Sequence, residues 1–536
     1  MTRRAAALAA LGALAGVAPA RAERTARYED LLRLFQEWRA FQAPRFVDHV
    51  PDYTPAAMRE QRRRLPEWIA RLDALDTSSW PVPQRVDHRL VRAEMNGLDF
   101  DHRVLRPWSR DPCFYTVIHA DESDVPRREG PALPGTIEAW RLRFPLAADP
   151  LAELRGQLRA IPRFLAQARA NLVEDARDLW LLGIRVKRNE SRALAELGER
   201  VAAHHPELLR DLERAREAVD AFRAWLEQQL PGKRGPSGVG VENYDWYLRH
   251  VHLSRFTWRT EVALVERELG RSLAALALEA HRNRELPPLE PAASPEEFEK
   301  RFQAAVTEYI AFLRDAQVLT VEDDMDPALR ARGGSYQPPA ERDFFAQVDH
   351  REPLLLRCHG FHWFDRARGQ RQPHPSPIRS APLLYNIWDS RAEGLATAME
   401  EMMMTVGLLD RKPRSRELVY VLVANRAARA LAGLRMHSNE LTVEQAVRFA
   451  HERTPYGWLK ADGDTAWFEQ QLYLQQPGYG TCYLAGKAQI ETLMGERRSQ
   501  LGERFSLKAF MDELLASGMV PVSMIRWEIT GVEDAR

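Results

Sequence analysis

The sequence predicts a mainly α protein, and three observations carry that expectation. Apolar residues recur three and four apart, with charged residues between them, through most of the chain. The strict alternation that marks half-buried strands is sparse. Helix-start signals stand where the periodic runs begin, as at Ser294 with Glu297 and Thr442 with Gln445. With 536 residues, 45% of them hydrophobic and 28% charged, the chain has the length and composition of a globular protein with a large core. Lys+Arg and Asp+Glu both total 76, so the balanced charge argues against a nucleic-acid partner or an acidic membrane surface.

In chain order, Arg3 and Arg4 precede an apolar run at 5–17, and Ala20-Arg21-Ala22 supplies the small residues that a signal peptidase reads. We expect a signal peptide over 1–22, followed by an exported protein, periplasmic or secreted, from a bacterium. The apolar run is shorter than the roughly 20 residues a membrane span needs, and no cysteine follows the cleavage site to carry a lipid anchor. Amphipathic helices are expected at 28–38, 55–75, 86–100, 151–172, 178–204 and 206–230, which together form an N-terminal helical region over 23–229. A Gly/Pro-rich loop at 230–241 reads as a hinge or lid. A middle helical region over 242–357 starts with an aromatic segment at 243–251, continues in a helix at 257–284, and resumes after a proline-rich break at 287–295. The C-terminal helical region, 358–536, holds helices at 417–436, 483–493 and 505–515.

Candidate chemistry gathers in 358–401, which opens CHGFHWFD. His359 and His362 form an HxxH pair; on one helix face, residues three apart can share a metal ion. Glu393 is the natural third ligand from a following helix, although Ser390 and Glu393 also read as a capping box. Glu393 and Glu400, seven apart with Thr397 between, lie on one line of that helix, facing either solvent or a polar cleft. Arg426, Arg429 and His437 sit on a helix otherwise full of Val, Leu and Ala. If buried they need partners, either Glu393 and Glu400 or a substrate carboxylate. Cys113, Cys358 and Cys482 fit no metal motif and read as buried free thiols, with a bridge between Cys358 and Cys482 as the alternative.

In this order, the C-terminal pieces resemble a bacterial family known as domain of unknown function 885, whose better-studied relatives look like zinc-dependent peptidases. Its EGWALY-like segment is matched by Glu393, Gly394, Leu395 and Ala396; its arginine helix by Arg426, Arg429 and His437. Its E…Y…PGQALSYKIG segment is matched by Glu469, Tyr473, Pro477, Gly478, Tyr483 and Gly486, with Tyr479 in place of the glutamine, Cys482 in place of the serine, and Leu484 in place of the lysine, Lys487 lying one turn on. Its closing pattern is matched by Phe510, Asp512, Leu514, Gly518 and Pro521. The family's HE-x-x-PGH metal signature is altered here: the corresponding stretch, LLLRCHGFHWFD, lacks the HE pair.

The resemblance implies a large helical zinc-peptidase-like fold around a central cleft. It also implies an exported metallopeptidase-like hydrolase acting on peptides or a related small amide. Zn2+ would be held by His359, His362 and Glu393, polarising a carbonyl and lowering the pKa of water. Glu400, Asp365 or a metal-bound hydroxide alone would replace the missing base, and Tyr483 would hydrogen-bond the oxyanion. Arg426, Arg429, His437, Tyr479 and Lys487 would hold the substrate. The alternative is a non-catalytic relative that binds a peptide or small anionic ligand in the same cleft. A third reading uses Cys358 or Cys482 as a nucleophile.

Overall fold

The computed structural model of the chain describes residues 27–123, 125 and 135–534. The expected signal peptide at 1–22 lies outside them. The longer helices of the N-terminal half are α1 (Tyr28–Gln42), α2 (Pro55–Asp73), α3 (Val82–Phe100), α4 (Ala148–Asn171), α5 (Arg177–Ala202), α6 (Leu209–Gln229), α7 (Val241–His250), α8 (Trp258–Arg282) and α9 (Pro295–Asp315). The C-terminal half adds α10 (Pro353–His359), α11 (Phe361–Arg371), α12 (Asp389–Val406), α13 (Pro413–His437), α14 (Val443–Arg453), α15 (Asp464–Gln475), α16 (Tyr479–Leu501), α17 (Leu507–Ala516) and α18 (Val522–Thr530). Strand is confined, among the described residues, to two short pairs: β1 (Phe46–Val47) antiparallel to β2 (Val50–Pro51), and β3 (Ile118–His119) parallel to β4 (Ile137–Glu138). The fold is mainly α, as the periodicity predicts.

Local chemistry explains several boundaries. Thr442 and Gln445 form the reciprocal capping box that opens α14. Ser294 accepts from the Glu297 N–H, but the Glu297 carboxylate accepts from Ala293 N–H instead of the cap residue. The expected box at Ser390 and Glu393 does not form: α12 begins at Asp389, so Ser390 is already inside the helix and Glu393 turns inward. The aromatic segment around Tyr244 and Tyr247 packs as α7 in the core. The Gly/Pro-rich stretch is pinned to the end of α13, where Gly238 N–H donates to Asn439 Oδ1 (2.9 Å) and Gly240 N–H to the His437 carbonyl (2.8 Å).

At the centre, α13 is buried on every side from Val421 to Leu434. It packs along α8, α14, α15 and α16, while α12 lies against α16. Such a helix can carry charge only where partners are built in, and this one carries Arg426 and Arg429.

The two ends of the described chain meet at Arg379, which is 6% exposed. Its guanidinium donates to Asp87 on α3 (2.6 Å), to Glu528 on α18 (2.5 and 3.0 Å), and to the carbonyls of Pro83 and Ser517. Removing one member of a buried ionic cluster strands the others and costs about 3–5 kcal/mol. Arg379→Ala is therefore expected to lower unfolding free energy by that amount in denaturant titration. A loss under about 1 kcal/mol, the value of a surface pair, would show that the cluster does not hold the ends together.

Candidate metal centre and its cleft

His359 is the last residue of α10, Gly360 is the junction, and His362 sits in the first turn of α11. The pair does not share one continuous helix face, as the HxxH spacing suggests. A side chain at position 360 would crowd the Leu356 carbonyl oxygen (3.0 Å) and Leu329 (3.3 Å), so glycine lets the chain turn tightly there. The junction brings the two imidazole centroids to 5.2 Å with their planes at 89°.

Glu393 reaches this pair from α12 because α12 and α16 touch backbone to backbone. A Cβ on Gly394 would lie 2.6 Å from Gly486 Cα, and one on Gly486 would fall on the Ser390 carbonyl oxygen. With α16 that close, Tyr479 in its first turn donates to Glu393 Oε1 at 2.7 Å. The other carboxylate oxygen, Oε2, lies 3.2 Å from His362 Nε2 and 3.9 Å from His359 Nε2. Burial alone pushes the Glu393 carboxyl up, but the His362 and His359 rings and the Tyr479 hydroxyl outweigh it and hold the group well below the usual carboxylate range.

Behind His359 stands a second layer. Arg426 grips Glu400 with two hydrogen bonds of 2.7 Å, and both partners are almost fully buried. Burial pushes the Glu400 carboxyl up, yet Arg426 and His359 hold it low. Glu400 Oε1 lies 3.2 Å from His359 Nδ1, and Arg426 Nη2 lies 3.1 Å from the same nitrogen. The proton on the ring decides between them. Carried on Nδ1, it is donated to Glu400 and leaves Nε2 bare toward Glu393. Carried on Nε2, it leaves Nδ1 to accept from Arg426.

One donor atom each from His359, His362 and Glu393 lies within 4.8 Å of the other two. Two imidazoles and a carboxylate, with a carboxylate behind one imidazole, are the donors and outer support that a catalytic zinc takes. These residues could hold such an ion with His359 in its Nδ1-protonated form.

His359 and Glu393 face a cleft of about 400 Å³, whose wall includes Tyr483, Arg357, Trp363, Phe468 and Glu469. Tyr483 stands beside His359, with ring centroids 6.5 Å apart. Arg429 lies 5.8 Å from the Tyr483 ring and forms an ion pair with Glu469. Among the described residues, the second oxygen of Glu469 is buried without a hydrogen-bond partner.

The other expected site residues have different surroundings. Glu400 is held by Arg426 and does not line the cleft; Asp365 pairs with Arg391 at 2.8 Å and does not line it either. Lys487 is bound to Glu401 (3.0 Å) and Glu491 (2.8 Å). His437 donates from Nε2 to the Tyr473 carbonyl (2.8 Å), and burial pushes its imidazole down to about 4. Arg426, Arg429, His437 and Lys487 are thus each held by partners within the protein, and Tyr479 serves Glu393. The three cysteines are buried thiols with no disulfide between them, which removes both the bridge and an accessible thiol nucleophile. Glu469 stood out in the sequence only as a position of the family pattern, and Arg357, Trp363 and Phe468 carried no signal, because the wall is assembled from distant segments.

Comparison with known proteins places these features in context. A family model described as "Bacterial protein of unknown function (DUF885)" matches residues 39–346 and 362–529; the interval between the two segments contains His359. Among solved structures, a protein from Shewanella oneidensis described as a putative lipoprotein of unknown function is similar at a TM-score of 0.68 and 18% identity, over 94% of this chain and 98% of that one. A putative lipoprotein from Colwellia psychrerythraea is similar at a TM-score of 0.65 and 16% identity, with the same coverage. No curated protein matches the chain.

If the contact between Gly394 and Gly486 positions the site, Gly486→Ala should cost about 1–3 kcal/mol by overpacking and weaken zinc binding together with stability. Gly495, in the same helix with nothing near its Cβ position, serves as control. Gly495→Ala should stabilise by roughly 0.5–1 kcal/mol and leave zinc affinity unchanged. Equal behaviour of the two variants in thermal unfolding and zinc titration would refute the constraint.

Proposed function

The chain belongs to the DUF885 family of bacterial proteins, and from that premise we propose that it is an exported, zinc-dependent hydrolase acting on peptides or a related small amide. The observation that carries this reading is the convergence of His359, His362 and Glu393, of which His359 and Glu393 line a cleft large enough for a short peptide. Export rests on the signal-like pattern of residues 3–22, and no described helix is long and apolar enough to cross a membrane. Zinc held there would supply a Lewis acid for an amide carbonyl and for water.

The protein's own groups then have distinct roles. Tyr479 fixes the Glu393 carboxylate, and Glu400, braced by Arg426, fixes the His359 ring; both are positioning residues. Tyr483, on the cleft wall beside His359, is the donor for a developing oxyanion. Among the described residues, the carboxylates lining the cleft are Glu393 and Glu469. With Glu393 committed to the imidazoles, Glu469 takes the role of proton acceptor, its orientation held by Arg429.

One observation favours a second reading, a non-catalytic binder. The stretch LLLRCHGF lacks the family's glutamate base, and Glu469 is ion-paired to Arg429. Metal analysis and turnover separate the two.

The hydrolase reading expects about one zinc per mature chain after reconstitution, measured by elemental mass spectrometry. It expects His362→Ala to lose that zinc while helical content is retained. Peptide turnover should fall by about 10²–10⁴ in Glu469→Gln, with zinc retained. Unchanged metal content in His362→Ala would remove the proposed centre. Stoichiometric zinc without turnover of any peptide in a library would favour the binder.

A further inference from the structure

A second cavity adjoins the cleft across α15. This second lobe has a volume of about 430 Å³, and the two lobes share Phe468 and Leu472 as a common wall. Phe468 is 50% exposed, although it belongs to a helix whose Leu472 and Tyr473 are buried. A large aromatic side chain left half in solvent at the mouth of two adjoining cavities is positioned to meet a ligand that passes over it. Trp467 also lines the second lobe, with the Arg185 guanidinium over its ring at 4.5 Å.

The far wall of this lobe is the β3 segment. In a parallel pair, successive residues direct their N–H and C=O groups to opposite edges. Ile137 N–H donates to the Val117 carbonyl, and Ile118 is the residue in register with Ile137. The N–H and C=O of Ile118 therefore face away from β4. Among the described residues they have no backbone partner, although Ile118 is only 4% exposed. Buried backbone groups are almost always paired, so this edge is suited to take an added strand.

We propose that the second lobe binds the continuation of an extended peptide substrate, whose backbone pairs with the free edge at Ile118 and whose side chains pass over Phe468 and Trp467. The substrate class is then the oligopeptide in extended conformation, not the dipeptide or isolated amide. The inference rests on the hydrolase reading for the bond placed at His359 and Glu393. The second lobe itself contains none of the three metal donors.

The test is calorimetric titration of the full-length mature chain with a capped Ala-Ser dipeptide, tetrapeptide and octapeptide. Chelated and zinc-reconstituted protein are titrated separately, and zinc content is recorded on each preparation. Affinity should rise about tenfold or more from dipeptide to octapeptide in both forms. Phe468→Ser should abolish most of the gain while zinc content stays unchanged. With the unmodified protein, N-methylating the octapeptide amides one at a time should weaken binding at one or two positions, marking the bonds to Ile118. Equal affinity for all three lengths, or a length gain that survives both Phe468→Ser and every N-methylation, would overturn the proposal. Failure to bind zinc with the length gain intact would instead defeat the hydrolase reading and leave the oligopeptide groove standing.

Discussion

The contact of α12 and α16 at Gly394 and Gly486 is the constraint on which the site depends. Two helices whose backbones meet there leave no room for side chains, and the residues flanking the contact are held in fixed relation. Glu393 lies next to Gly394 in α12, while Tyr479 and Tyr483 occupy the first turns of α16. The hydrogen bond from Tyr479 to Glu393, and the presence of both Glu393 and Tyr483 on one cleft wall, follow from that approach.

Burial then dictates the electrostatics. From Asp389 to Glu400 every residue of α12 except Ser390 is buried, so its carboxylates must be satisfied inside the protein. Glu393 is satisfied by imidazole and phenol, Glu400 by Arg426 and His359. Arg429, on the next turn of α13, pairs with Glu469 at the cleft. Buried ion pairs of this kind contribute little net stability, because desolvation offsets their attraction. Their consequence is positional: each ring and carboxylate near the cleft is held by a partner that cannot move without stranding a charge. The Arg426–Glu400–His359 chain is the clearest case, since Arg426 holds the Glu400 carboxylate that in turn stands against the His359 ring.

Much of this was legible in the sequence, for physical reasons that can be named. Helical periodicity marks burial faces, so the α-helical class and most helix positions could be read; the box at Thr442 and Gln445 is local chemistry and formed as written. The grouping of His359, His362 and Glu393 was readable as donor chemistry, but its geometry was not. Spacing suggested a shared helix face, whereas the helix breaks at Gly360 and the rings meet across the junction. Ser390 and Glu393 satisfied a capping pattern that tertiary packing overrode, because α12 starts before Ser390. Asp365 looked available as a base and Lys487 for substrate, yet Arg391, Glu401 and Glu491 were already their partners in space. Pairings between segments far apart in sequence leave no periodic trace, and the cleft walls are built from such segments.

The similarity to two solved structures at 18% and 16% identity shows how far sequence can drift while this helical arrangement persists. The match to the family model, by contrast, is interrupted over the interval that contains His359. The central claim is that the altered stretch still completes a metal centre from two imidazoles and the Glu393 carboxylate. X-ray absorption at the zinc edge of the reconstituted mature protein tests it most directly. The account predicts a first shell of nitrogen and oxygen at about 2.0–2.1 Å, with outer-shell scattering from two imidazoles and no sulfur. A shell containing sulfur at about 2.3 Å, or oxygen scattering without imidazole, would contradict it.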